Sequence, residues 1–286
     1  MREAQRFEAL QDFAAVGKLY RAHVMDPNWK RYPDRETCPW DGTSLFLWSY
    51  AFERQGRRPD YSPVAADVVR ELKAQGLRIH QPEAAAEAWK RFKRRLEAKG
   101  LNIASNPMAP NGTAYERKNR EFVTSSPSAI EVAGQLGRSI VAHVFALLRE
   151  DQVKRAHTLV AGMNGVGDKI ASLFLRDVAS YYELNVATDR HLLQPVDTWI
   201  RRATALCLNV ESPPEAVARS IVDACHSCNV NPEHVNDGMW YFGAMVAQSA
   251  YRLRQAVENR ARLWSMIREY VSALDNVMLV YREIAP

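Results

Sequence analysis

The sequence predicts an all-α protein, and three observations carry that prediction. Apolar residues recur near a 3.6-residue period in most segments, helix punctuation repeats along the chain, and runs with the strict alternation of a half-buried strand hardly occur. With 286 residues, 47% of them hydrophobic, the chain can bury the core of one large domain or two ordinary ones.

The elements follow in order. From Glu3 to about Val24, the spacing of Phe7, Leu10, Phe13, Ala14 and Tyr20 predicts a first helix. The run DPNWKRYPDRETCPWDG follows, and Pro27, Pro33 and Pro39 predict a break there. Ser44 to Gly56 is apolar enough to be a core helix. In SPVAADVVRELKAQG, Ser62 stands as N-cap, Pro63 at the first helical position and Gly76 past the end, and Pro82 and Gly100 frame the next helix in the same way. Between Gly100 and Ser128 lies the longest stretch without a helical pattern; unstructured segments of that length in compact domains are functional or mobile. Ser126 and Pro127 then open a helix expected to run through Leu148, another starts at Asp151, and the segments after Asp197 are again helical in pattern.

Bulk properties narrow the function classes. A formal net charge of +5 and a pI of about 9.0 suit a polyanionic partner. No window approaches the roughly eighteen uninterrupted apolar residues of a membrane span, and MREAQRFEALQDF is charged from its start, so a cytoplasmic protein without membrane contact is expected. Four cysteines, Cys38, Cys207, Cys225 and Cys228, are too few and too uneven for a disulfide framework.

Chemistry concentrates in GMNGVGDKIASLFL, Gly162 to Leu175. A glycine-rich turn between two helices exposes backbone N–H groups at the start of the second helix, where no intrahelical acceptor exists. Such a turn is an anion site, because glycine lets a phosphate approach the backbone. A helix-hairpin-helix of this kind grips one DNA strand through phosphates, without reading sequence. Lys169 sits in the first turn of the second helix, where the positive end of the helix dipole disfavours an ammonium. Its placement fits a phosphate contact or a nucleophilic amine that sheds its proton to attack. Farther on, QPVDTWIRR reads as an extended entry, Asp197 at an N-cap, and a helix beginning with Trp199 and Ile200.

Together, GVGDK and PVDTWIRR resemble the helix-hairpin-helix superfamily of DNA glycosylases, in its lysine-containing branch similar to endonuclease III-like and archaeal 8-oxoguanine enzymes. Gly165, Val166, Gly167 and Lys169 match the first motif; Val196, Asp197, Thr198 and Arg201 or Arg202 match the second. The resemblance covers Asp151 to Arg202, about a fifth of the chain. It implies a combined glycosylase and AP lyase acting on double-stranded DNA that contains a damaged or modified base, with an oxidised purine such as 8-oxoguanine as the leading candidate. Gly165, Val166 and Gly167 would hold the DNA backbone, Lys169 would attack the sugar of a flipped nucleotide, and Asp197 would stabilise the positive charge developing there. Asp189, in TDRH, resembles the aspartate of another 8-oxoguanine-removing branch and competes for that role. Gln55 occupies a place resembling a glutamine that fills the gap left by the flipped base.

The resemblance further implies a cleft between two helical domains, residues 27–191 forming a barrel with the hairpin and residues 1–26 plus 192–286 a second domain. The turn departs from the family pattern, with Met163 and Asn164 in place of leucine and proline, and the connection from Lys169 to Asp197 is long. Only Cys207, Cys225 and Cys228 fall where relatives hold an iron–sulfur cluster, so no cluster is expected; Cys225, His226 and Cys228 lack a second ligand pair for zinc, so no metal or other cofactor is expected either. A monomer is expected. The basic stretches Trp89 to Lys99 and Glu116 to Arg120 offer phosphate contacts or a solvated basic face, and Tyr115 and Asn119 stand where they could shape a base pocket. A helix-hairpin-helix DNA-binding protein without chemistry, and a glycosylase for a different modified base, are the rival readings.

Overall fold

The structure, a computed structural model, describes residues 3–52, 60–101, 106–117, 120–211, 213–274 and 283–284. It is mostly helical. The helices are α1 (Glu3–Tyr20), α2 (Asp26–Lys30), α3 (Pro39–Phe46), α4 (Tyr61–Ala74) and α5 (Glu83–Ala98). A two-stranded antiparallel hairpin, β1 (Ala114–Arg117) and β2 (Arg120–Val123), interrupts them. There follow α6 (Ala129–Leu136), α7 (Ile140–Arg149), α8 (Val153–Ala161) and α9 (Asp168–Tyr181), and then α10 (Thr198–Leu208), α11 (Pro214–Ser227), α12 (Pro232–Tyr241), α13 (Ala250–Glu258) and α14 (Arg260–Val271). No helix among the described residues is long and apolar enough to cross a membrane.

The chain divides into two compact units, residues 28–188 and residues 1–27 with 189–286. The first is built around α9. Its residues from Ile170 to Ser180 are buried but for Leu173, including the charged pair Arg176 and Asp177, each about 1% exposed. The Arg176 guanidinium donates to Asp177 Oδ1 at 2.8 Å, Tyr50 donates its hydroxyl to Asp177 Oδ2 at 3.0 Å, and Trp29 Nε1 donates to the Tyr50 oxygen at 2.8 Å. Two charges are tolerable at this depth because each is paired and the carboxylate accepts further hydrogen bonds. Phe46, Tyr50 and Phe174 pack edge and face around the same point.

In the second unit α1 lies closely against α12. A Cβ on Gly238 would run into the Phe13 carbonyl and one on Gly17 into that of His234, so glycine on both helices lets the backbones meet. Phe13 and Phe242 pack edge to face at 6.1 Å, and Asp12, 4% exposed, ties α1 to α14 by accepting from Arg260 and Trp264 Nε1.

Several expected boundaries move. The first helix does not stop before Pro27: a π-helical turn at Arg21–Met25 leads without a break into α2, which contains Pro27. The core helix expected from Ser44 begins at Pro39 instead and passes into a π-helical stretch, Leu47–Ala51. The helix expected from Ser126 to Leu148 is two. Ser128, not Ser126, makes the N-cap, in a capping box with Glu131, and Gly137 at φ +62° ends α6 before Ser139 caps α7. The stretch from Gly100 to Ser128 holds the hairpin, in which every residue of β2 is exposed.

Candidate active site

The GMNGVGDK run forms a tight corner between α8 and α9. Gly165 takes φ +68°, a left-handed conformation that costs any other L-residue free energy, and Val166 is buried beneath it. Gly167 is different. Its backbone is extended, φ −124°, and a Cβ there would meet nothing within 4 Å. Neither conformation nor packing demands glycine at 167; what its missing side chain leaves open is the approach to the backbone from outside. Among the described residues the N–H groups of Gly165, Gly167, Asp168 and Lys169 have no hydrogen-bond acceptor. They form the type of donor array that holds an anion.

Asn164 is buried and structural. Its Nδ2 donates to the carbonyls of Asn106 (3.0 Å) and Ala109 (3.1 Å), and its N–H donates to that of Pro127 (2.7 Å). Proline could make none of these bonds, so asparagine at 164 joins the corner to residues on both sides of the hairpin.

Lys169 follows directly. Asp168 and Lys169 are the end of α9 that reaches solvent; Lys169 is half-buried and makes no ion pair or hydrogen bond among the described residues. Below it, His157 of α8 is 8% exposed and its Nε2 lies 3.3 Å from Ser172 Oγ. Burial pushes the pKa of His157 below its ordinary 6.5, against the opposing pull of Asp168.

Asp197 and Asp189 both belong to the other unit, and their surroundings differ. Asp197 caps α10: its Oδ1 accepts from the N–H groups of Trp199 (2.8 Å) and Ile200 (2.9 Å), which leaves Oδ2 without a protein partner among the described residues. The segment leading to it is pinned to α12. Glu233, 2% exposed, accepts from Arg190 and from Gln194 Nε2, and Asn236 donates to the Pro195 carbonyl. Trp199 packs against Gly243 so closely that a Cβ on Gly243 would lie 2.9 Å from it, and the Arg202 guanidinium stacks over the Trp199 ring. Asp189 is exposed, at φ +49°, with no side-chain bond. The structure therefore orients one carboxylate and leaves the other unrestrained. Glu233 has no motif spacing to announce it; an acidic residue one turn into a capped helix normally reads as dipole compensation.

The remaining candidates divide. Gln55 and Asn119 lie outside the described residues. On the basic helix α5, Arg91 pairs with Glu87 and Arg95 with Glu71, so that both carboxyls are held below their ordinary values and much of the face is neutralised internally. Burial pushes the Cys207 thiol up to about 12 and raises Cys225 as well, so both favour the protonated thiol. Among the described residues no group of three or more His, Cys, Asp and Glu is placed to hold a metal ion.

Over 201 residues the chain is 24% identical to a protein of Methanocaldococcus jannaschii described as uncharacterized. The match takes in 66% of this chain and 46% of that protein, so the chain spans about half the length of the curated relative. No family model matches the sequence, and no solved structure matches it.

Proposed function

We propose that the protein is a DNA N-glycosylase with AP lyase activity. The observation that carries the reading is Lys169, half-buried at the start of α9 and without an ion pair or hydrogen bond among the described residues, directly behind a glycine corner that turns backbone N–H groups outward. The corner holds the phosphates of one strand. Lys169 attacks C1′ of a flipped nucleotide with the lone pair of Nζ; the bond from C1′ to the base breaks, and the base leaves with its electron pair and takes up a proton. The C1′–O4′ bond then breaks, and the proton lost from nitrogen goes to O4′ as the sugar ring opens, giving an iminium. Removal of a C2′ proton then expels the 3′ phosphate and cuts the strand. Asp197, fixed through Oδ1, offers Oδ2 to the positive charge that builds on the sugar before the amine bond is complete.

The test is a panel of duplexes, each with one modified base, an oxidised purine and an oxidised pyrimidine among them. The wild-type protein should release one base and nick that strand, and Lys169→Ala should not nick. Salt-sensitive binding without release from any duplex would instead support a binding protein built on the same corner.

A further inference from the structure

The β1–β2 hairpin is unlike the rest of the molecule. Every described residue of β2 is exposed, and Phe122 (41%) and Val123 (64%) are, with Tyr251, the large apolar residues most open to solvent among those described. The ladder pairs Tyr115 with Phe122, whose rings stack at 5.6 Å and 19°. It also sets Arg117 opposite Arg120 and Glu116 opposite Glu121. By the alternation of a strand, Arg120 and Phe122 share one face of β2. Like charges directly opposite each other destabilise a hairpin, and two strands alone are marginal in water. These residues are a poor choice for stability, and an aromatic pair beside Arg120 is a good one for a polyanion with flat rings.

The hairpin is also firmly rooted. Thr124 donates its N–H to the Thr113 carbonyl and accepts that of Thr113 on Oγ1, while Asn111 donates to Glu131 at the cap of α6. Asn164 then ties the chain on both sides of the hairpin to the glycine corner. The strands and the corner are thus linked through hydrogen bonds within a unit of net positive charge, 24 lysines and arginines against 18 acidic residues.

We propose that this hairpin is a nucleic-acid arm: it stacks an unpaired or extruded base on the Tyr115–Phe122 face and contacts the neighbouring phosphates through Arg120. The assignment rests on the reading of the protein as one that binds DNA at the glycine corner, and it adds the element that favours a disrupted duplex over an intact one. Base stacking on an aromatic side chain is worth about tenfold or more in affinity per base.

The experiment measures binding of the full chain to two duplexes, one intact and one with a single-base bulge carrying 2-aminopurine, by anisotropy and by fluorescence of the base. Phe122→Leu keeps the apolar bulk and removes the π-face, and Phe122→Trp restores one. The expected result is about tenfold weaker binding of the bulged duplex by Phe122→Leu, recovery in Phe122→Trp, and less than twofold change on the intact duplex. Equal affinity of wild type and Phe122→Leu for the bulge would overturn the proposal. So would a change of sedimentation state in Phe122→Leu without a change in DNA affinity, which would assign the face to a second copy of the chain. Lys169→Ala in parallel separates the two readings: loss of strand cleavage there tests the lyase, whereas bulge preference tests the arm.

Discussion

Residues 28–188 hold 24 lysines and arginines against 18 aspartates and glutamates; the remaining residues hold 14 against 15. The whole positive excess of the chain thus belongs to the unit that carries the glycine corner, Lys169 and the hairpin. The other unit is close to neutral and contributes a capped, hydrogen-bonded carboxylate. Affinity for a polyanion and the placing of a single charge are different tasks, and they call for different surroundings. A basic field is long-ranged and tolerates loose side chains. A carboxylate that is to act on one atom must be fixed, and Asp197 is fixed by two backbone N–H groups and a pinned approach segment.

The comparison can be broken first at the cores. Each unit buries an arginine–carboxylate pair, Arg176–Asp177 in one and Arg190–Glu233 in the other. Asp177→Ala removes the carboxylate paired with a guanidinium 1% exposed and should cost about 3–5 kcal/mol in denaturant unfolding. Glu233→Ala should cost less, because Arg190 keeps some contact with water.

Next comes the carboxylate itself. Asparagine caps a helix about as well as aspartate, so Asp197→Asn should leave thermal stability nearly unchanged while slowing single-turnover base release by about 10²–10³-fold. Asp189→Asn should slow it by less than twofold. The reverse pattern would move the acid to Asp189.

The two glycines give a smaller and sharper contrast. Gly165→Ala should cost roughly 1–2 kcal/mol of stability through its left-handed backbone. Gly167→Ala should cost only the difference between glycine and alanine at an N-cap, about 0.5–1 kcal/mol, and weaken DNA binding besides, because the added methyl stands where a phosphate would approach.

The smallest effect is in pH. Burial lowers the pKa of His157, and of His143 and His234, below 6.5 in the folded chain. The neutral rings favour the folded state, so this contribution is intact above pH 6.5. It is lost as the pH falls from 6.5 through the lower folded values, because the unfolded chain takes up the protons first. The melting temperature should decline between pH 7 and 5, and His157→Gln should flatten part of that decline.

Sequence periodicity made the helices legible, and Gly76 and Gly100 take the positive φ their positions implied. Asp197 could be read as an N-cap because the cap residue and the apolar turn after it are local. What escaped depends on distant partners. Glycine at 137 splits a helix whose apolar pattern runs on unbroken, since periodicity does not register a change of direction. The hairpin escaped because its four-residue strands turn their aromatic residues to solvent rather than to a core. Asn164 reads as a turn residue, and its three bonds to residues 106, 109 and 127 exist only in the folded chain.

Borohydride reduction during reaction with a base-modified or abasic duplex tests the central claim most directly, because it freezes any Schiff base as a covalent link. Digestion and mass analysis of the trapped complex should place the DNA adduct on the peptide containing Lys169, with no cross-link from Lys169→Ala. A cross-link of equal yield from Lys169→Ala, or an adduct on another lysine, would contradict the account.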